Sequence, residues 1–480
     1  MTVDETRAKI LRSTFWTTKC KIVSQALGLV TTLILARLLA REDFGLMAMA
    51  IAFVGLIDTF IDIGFLSAII QAKDIRRTQL SSCFWVLMAF SGILTLLTLL
   101  SASLIADAFG ARRIESFIPW LAPLFLLSPF QIVGKGILSR ELRIDALAKI
   151  ELIASLSKMA VSIFLAMLGF GVLSLVISFI FERMLLTAGC VLRTRWTPRF
   201  EFEGSTLRHL FSFGSQVTVS SMLWYIYTKA DVFVIGRILG TELLGAYTIA
   251  AQFPQTIARF VPSTWHRILY PLFARYQDSQ ELGRIVTHAS SFLSLVSLPL
   301  FLGMAAVAPD IIDMLFGPGW QAAVFPLQML SIAAAIETVT WVLTASLNAV
   351  GRPGVNTLIN LVAVTFFPAA YYIGALQWGM AGVLWAYLAA FSYRFLAFLW
   401  SAKRSFRLSL SLYVKNHRGS LVASCAMMIV VIVLQSEVQQ WNIIPRIATC
   451  ISFGAVTYVS VLLLLSRDQI AQFLSYVRAS

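Results

Sequence analysis

A chain of 480 residues with 58% hydrophobic and 13% charged residues, and a mean hydropathy of +0.81, stands far from the roughly 25% charged residues of a soluble domain. At about 20 apolar residues per crossing, this composition fills a dozen or more membrane helices joined by short loops, which excludes a fused ATPase module, a periplasmic catalytic domain and a receptor ectodomain. The net charge of +14 would suggest nucleic acid in a soluble chain, but the basic residues fall between apolar runs, where they are topology signals, so no nucleic-acid partner is expected.

In chain order, the apolar runs predict fourteen spans near 13–37, 44–70, 80–106, 116–138, 147–168, 171–192, 211–239, 243–266, 286–308, 322–350, 355–376, 379–400, 419–436 and 443–465. The first twelve residues are too polar for a secretory signal, so the first run counts as a span. With the N-terminus in the cytoplasm, loops on that side hold 25 Lys and Arg, against six on the other: Arg37, Arg41, Arg112, Arg113, Arg237 and Arg446. That bias places both termini in the cytoplasm and makes the number of spans even. Cys20, Cys83, Cys190, Cys425 and Cys450 lie in or beside apolar runs without pairing or metal spacing, and read as packing residues.

An internal repeat divides the chain. Ala36 to Gly45, ARLLAREDFG, matches Gly236 to Gly245, GRILGTELLG, at an offset of 200, with Arg, Leu, Glu and Gly coincident. Gly171-Val172-Leu173 and Arg183 match Gly382-Val383-Leu384 and Arg394 at an offset of 211. Six helices per copy keep both copies in one orientation, as in parallel-repeat transporters. The expected fold is therefore all-α and polytopic, with fourteen transmembrane helices. Two pseudo-symmetric six-helix bundles, 1–192 and 211–402, would surround a central cavity and be joined by a cytoplasmic linker at 193–210. Residues 403–480 add helices 13 and 14. The linker, RTRWTPRFEFEGSTLR from Arg193 to Arg208, is the most polar in the chain and reads as a hinge for alternating access.

An ionisable side chain at bilayer depth costs at least about 2.5–3.5 kcal/mol, so each is a functional candidate. Asp58 and Asp62 are four apart on one helical face, where two carboxylates sharing a dry site would suit a proton or cation; ion pairing with a neighbouring helix is the alternative. Lys158, Arg183, Lys229, Arg259 and Arg394 read as cavity cations for an anionic headgroup such as a pyrophosphate, or else as partners of Glu151, Glu182, Asp231 or Glu337. Asp231 and Glu337 join the two aspartates as ion-coupling or ion-pair acids. His266 and His288 read as interfacial.

No phosphate loop, H-E-x-x-H, Cys/His cluster or G-x-S-x-G elbow occurs, so no enzyme, cofactor or metal centre is expected and energy must come from a gradient. Pro119, Pro123 and Pro129 punctuate the fourth span and Pro254 and Pro262 flank Arg259 in the eighth; broken helices are tolerated where they line a cavity, so Pro254 and Pro262 read as a gate and Pro119 as a helix start.

ARLLAREDFGLMAMA from Ala36 resembles the signature of the bacterial polysaccharide transporter family, within the superfamily of multidrug, oligosaccharidyl-lipid and polysaccharide exporters. Asp62-Ile63-Gly64, Leu138-Ser139-Arg140-Glu141-Leu142, Lys229-Ala230-Asp231, Gly245-Ala246-Tyr247, RILYPLFARYQD from Arg267 and Phe316-Gly317-Pro318-Gly319-Trp320 follow that family's pattern in order. Among that family's branches the chain most resembles the colanic acid exporter group. The resemblance implies an inner-membrane flippase for undecaprenyl-pyrophosphate-linked oligosaccharide repeat units in exopolysaccharide, capsule or O-antigen synthesis. It implies a lipid-linked oligosaccharide and membrane lipid as partners, with a polysaccharide polymerase and co-polymerase. Lys229 departs from the family, which usually has Asn before Ala-Asp; the added charge would favour an acidic repeat unit or neutralise Asp231. A peptidoglycan-precursor flippase, a multidrug antiporter and a non-transporting scaffold for a polysaccharide synthase stay open at this point.

Overall fold

A computed structural model describes residues 3–62, 64–71, 75–202, 221–277, 279 and 281–466, with the side chains of 3–15, 71 and 259–268 excepted. Among the described residues there is no strand, and eleven helical stretches are long and apolar enough to cross a membrane. Outward-facing Leu100, Leu192 and Leu464 are 73%, 75% and 74% exposed. Such a surface would aggregate in water and suits contact with lipid tails. The chain is a multi-pass membrane protein.

The helices form two units, Met1–Gly245 and Ala246–Ser480. The first contains α1 (Val3–Leu38), α2 (Arg41–Asp62), α3 (Phe65–Gln71), α4 (Arg77–Leu100), α5 (Ala102–Phe109), α6 (Ile118–Leu121), α7 (Ser128–Arg140), α8 (Ile144–Met167), α9 (Val172–Thr194), α10 (221–234) and the first turn of α11 (Thr241–Arg275). Within it α8 packs between α1 and α9, and α7 packs against α3 and α9.

Two predicted spans are interrupted. The second, expected as one run over 44–70, ends at Asp62, turns at Gly64 and restarts as α3. The Asp62 carboxylate accepts the Leu66 N–H at 3.0 Å and so caps the short helix. The fourth span is broken at its prolines, whereas the helix from Thr241 to Arg275 runs on through Pro254 and Pro262, where a break was expected. Pro119 opens α6, Pro123 lies in a 3₁₀ segment at Ala122–Leu127, and Pro129 sits in the first turn of α7. A proline supplies no N–H and fits best at a helix start, so three of them in eleven residues segment the crossing.

The second unit contains the rest of α11, then α12 (Leu282–Ala306), α13 (Ala308–Phe316), α14 (Val324–Ala349), α15 (Pro353–Phe406), α16 (Leu410–Glu437) and α17 (Ile443–Leu465). At 54 residues and 1.5 Å per residue, α15 would be about 80 Å long if straight, well over twice the hydrocarbon thickness of about 30 Å. It doubles back at Gly379, whose φ of +59° and ψ of −139° favour glycine. The two arms cross with Gly374 and Gly382 in backbone contact, close enough that a Cβ on either would overlap the other's carbonyl. Tyr371 stacks on Tyr387 farther along. Both arms match the predicted spans at 355–376 and 379–400.

The last two helices are fastened to this unit by polar contacts that sequence reading missed. Buried Asp310 of α13 pairs with Arg446 of α17 at 2.5 Å and accepts from Gln435 Nε2 of α16 at 2.6 Å. Near the other end of α16, Ser290 Oγ of α12 lies 3.0 Å from both Tyr413 Oη and His417 Nε2. Removing one member of a buried pair leaves an uncompensated charge and costs about 3–5 kcal/mol. Arg446→Ala should therefore lower the melting temperature in detergent by several degrees, and Asp310→Leu with Arg446→Met should recover much of that loss. Four of the five cysteines are buried packing residues as expected, whereas Cys425 is exposed on α16.

Candidate functional site

Three charged features occupy the described residues where the sequence placed buried ionisable groups. The largest lies in the first unit. Arg183 on α9 forms an ion pair with Asp58 on α2. Its other terminal nitrogen donates to Gln131 Oε1 of α7 at 3.2 Å. Ser128 Oγ donates to the second Asp58 oxygen at 2.7 Å, and Gln131 Nε2 donates to Thr187 Oγ1 at 2.8 Å. Ser128 and Gln131 face this network because the proline-segmented fourth span starts α7 at Ser128. Next to Arg183 in sequence, Glu182 pairs with Lys158 of α8 at 2.7 Å. The Phe179 ring sits 5.5 Å from the Lys158 ammonium and 5.4 Å from the Arg183 guanidinium, a cation–π arrangement with both. Two cations and two carboxylates make one neutral cluster.

The second unit carries a smaller counterpart. Arg394 of α15, 5% exposed, donates to Glu337 Oε2 of α14 at 2.8 Å and lies over Phe391 and Phe398. Backbone geometry shifts the second sequence echo. Gly171, which precedes α9, has φ +54° and ψ −132°, nearly the angles of Gly379. The turn glycines are thus 208 apart in number, where the echo aligned Gly171 with Gly382. Arg183 follows its turn by twelve residues and Arg394 by fifteen, so at 1.5 Å per residue they lie about 18 and 22 Å along their helices. Both are at bilayer depth.

The third feature is built from the first echo. In the first unit, the two copies of the motif pack on each other reciprocally. A Cβ on Gly45 would overlap the Thr241 carbonyl, and a Cβ on Gly245 would overlap the Arg41 carbonyl. With the offset of 200, each glycine meets the residue that corresponds to its partner's contact. Arg41 forms an ion pair with Glu242, and Glu42 pairs with Arg113 at 3.0 Å. Asp43, 7% exposed, accepts the Ala40 N–H at 3.1 Å and lies against Gly171. The echo had marked Glu42, Gly45, Glu242 and Gly245 as repeated residues but not as neighbours.

The remaining candidates are distributed differently. Asp62 caps α3, so the two aspartates expected to share one site have separate partners. Asp231 is buried and its carboxylate accepts the Val232 N–H at 2.8 Å. Lys229 is half-buried and makes no ion pair with Asp231 or another described residue, so it does not neutralise Asp231. Arg259 and His266 lie outside the residues whose side chains are described; His288 is half-buried.

Comparison with known proteins bears on the whole chain. The Lipopolysaccharide biosynthesis protein WzxC of Escherichia coli (strain K12) is 25% identical over 392 residues, covering 80% of this chain and 78% of that protein. The Succinoglycan biosynthesis transport protein ExoT of Rhizobium meliloti (strain 1021) is 24% identical over 483 residues, covering 98% and 96%. Among solved structures, the Lipid II flippase MurJ in an inward closed conformation superposes with a TM-score of 0.77 at 14% identity, covering 95% of this chain and 100% of that one, which establishes a common fold. A family model described as Polysaccharide biosynthesis protein matches residues 34–325, and the chain belongs to that family.

Proposed function

We infer that this protein is a flippase that carries undecaprenyl-pyrophosphate-linked oligosaccharide repeat units from the cytoplasmic to the periplasmic leaflet, for assembly of an extracellular or surface polysaccharide. The observation that carries this reading is the pair of mid-helix arginines among the described residues, Arg183 in the first unit and Arg394 in the second, in a chain of a polysaccharide biosynthesis family with relatives named as transport proteins. A pyrophosphate needs cations with fork geometry, and a bidentate guanidinium supplies them. In this structure Arg183 is paired with Asp58 and Arg394 with Glu337, so each pair stays uncharged until a phosphate displaces its carboxylate. Asp58 then keeps its Ser128 hydrogen bond and Arg183 keeps Gln131, so the network stays organised while its charges exchange partners. The carboxylate released from its arginine is the group that would take up a proton or sodium ion and couple the cycle to a gradient.

The topology that suits this work has fourteen crossings, as two six-helix repeats followed by two further helices, with both termini cytoplasmic and the protein in the inner membrane. Alternating access would open and close the reciprocal glycine contact and its Arg41–Glu242 pair at one membrane face. No step calls for bond-making chemistry by the protein. A polymerase and co-polymerase would take the translocated unit.

Mass spectrometry of lipid-linked oligosaccharides in a deletion strain tests the reading. Completed repeat units should accumulate on the polyprenyl carrier and return to the parental level when the intact protein is restored. Accumulation of a peptidoglycan precursor would assign the protein to that pathway. An unchanged lipid-linked pool together with unchanged polysaccharide would overturn translocation.

A further inference from the structure

The stretch that joins the sixth and seventh spans reads from sequence as a free cytoplasmic hinge, but its described part, Arg195 to Phe202, is strapped to α4. Trp85 Nε1 donates to the Arg199 carbonyl at 2.8 Å, the Arg199 N–H donates to Ser81 Oγ at 3.2 Å, and Ser82 Oγ donates to the Glu201 carbonyl at 3.2 Å. Trp196 is buried against Phe84, and Phe200 stacks on Trp85 at 4.4 Å. Ser81, Ser82 and Trp85 lie four to eight residues inside a helix that begins at Arg77. The strap therefore runs about 6–12 Å along a membrane-crossing helix from its end, at the depth of the headgroups and the first methylenes.

What the strap turns outward fits that depth. Phe200 and Phe202 are 87% and 68% exposed, an orientation that is costly against water and favourable against acyl chains. Arg76 and Arg77 at the start of α4 and Arg195 and Arg199 in the strap are exposed, and Glu201, the sole acid in the strap, lies 3.9 Å from Arg199. Two apolar wedges and four guanidiniums match a lipid that is apolar below and negatively charged above. We propose that this strap is a docking surface for anionic phospholipid headgroups of the adjacent leaflet, anchoring the near end of the linker to the membrane. The proposal rests on the membrane crossing of α4 and is independent of what the protein transports.

Bimane attached at Phe202→Cys in full-length protein carrying Cys425→Ser, reconstituted in phosphatidylcholine vesicles, reports the contact. Brominated phosphatidylglycerol should quench it at about fivefold lower mole fraction than brominated phosphatidylcholine for each arginine engaged. Arg195→Gln with Arg199→Gln should lower that preference about fivefold for each arginine removed. Thr197→Cys, at an exposed position, provides a second reporter in case the first disturbs packing, and export measured in the same strains shows that the labelled protein is intact. Equal quenching by the two lipids would overturn the choice of an anionic headgroup. Quenching by aqueous iodide and by neither lipid would overturn the docking surface altogether and leave the strap open to a soluble partner.

Discussion

Replacing Gly45 with valine is expected to separate Arg41 from Glu242 and to lower polysaccharide export about tenfold. A Cβ at that position lands on the Thr241 backbone carbonyl, which must shift to admit it; overpacking costs at least about 1–3 kcal/mol, where each 1.4 kcal/mol is a factor of ten in population. The cost falls on the conformation in which the two motif copies touch, so the protein should still fold while that conformation becomes rare. Cysteines introduced at Arg41 and Glu242 measure it directly. They should form a disulfide readily in the otherwise intact chain and about tenfold less in the Gly45→Val background, with Gly245→Val behaving alike because the contact is reciprocal. Unchanged crosslinking and export would show that the glycines are not needed for the crossing. Reduced export with unchanged crosslinking would move their role away from gating.

Arg183→Gln should abolish export and also destabilise the protein, and adding Asp58→Asn should restore stability without restoring export. The single change strands a carboxylate at bilayer depth. Its cost lies below the about 3–5 kcal/mol of a fully buried broken pair, because roughly a quarter of each side chain is exposed, 26% and 23%. The double change removes both charges and with them the penalty, but it also removes the guanidinium fork that a phosphate would engage. Thermal unfolding and export measured on the same three strains separate the two effects. If the double variant exports normally, the pair only fastens α2 to α9. The Glu337–Arg394 pair extends the test. Arg394→Gln strands Glu337, whose side chain is 31% exposed against 23% for Asp58, so it should give the smaller fall in melting temperature.

Eleven crossing-length helical stretches among the described residues were legible in the sequence because twenty apolar residues in a row have few alternatives in water, and the fourth span breaks at its prolines whereas α11 continues through Pro254 and Pro262. The break between α2 and α3 was not legible. Gly64 lies in a run that only Asp58 and Asp62 interrupt, and the capping role of Asp62 shows only in three dimensions. The candidate charges were found as individuals by their cost in lipid, but their partners were not. Asp58 and Arg183 are 125 residues apart, beyond any helical periodicity, and Ser128 and Gln131 are uncharged and attracted no notice. Asp310 and Arg446 escaped because each sits at a span end, where a charge looks like an ordinary loop residue. The repeat identified Gly45 and Gly245 as equivalent, but equivalence carries no information about contact until the fold places the two copies together.

The doubled α15 has a consequence for how the chain is made. Between Arg352 and Arg394 there is no charged residue, and the turn at Gly379 is closed by glycine backbones with no polar loop to be carried across. Both arms can leave the insertion machinery for lipid together as a prefolded hairpin, with no charge to translocate. Arg394 is the first cation after that silence, and Glu337, its partner, belongs to the helix synthesised just before. The acid is thus already in the bilayer when the arginine arrives, so the order of synthesis supplies the counter-ion before the charge that needs it.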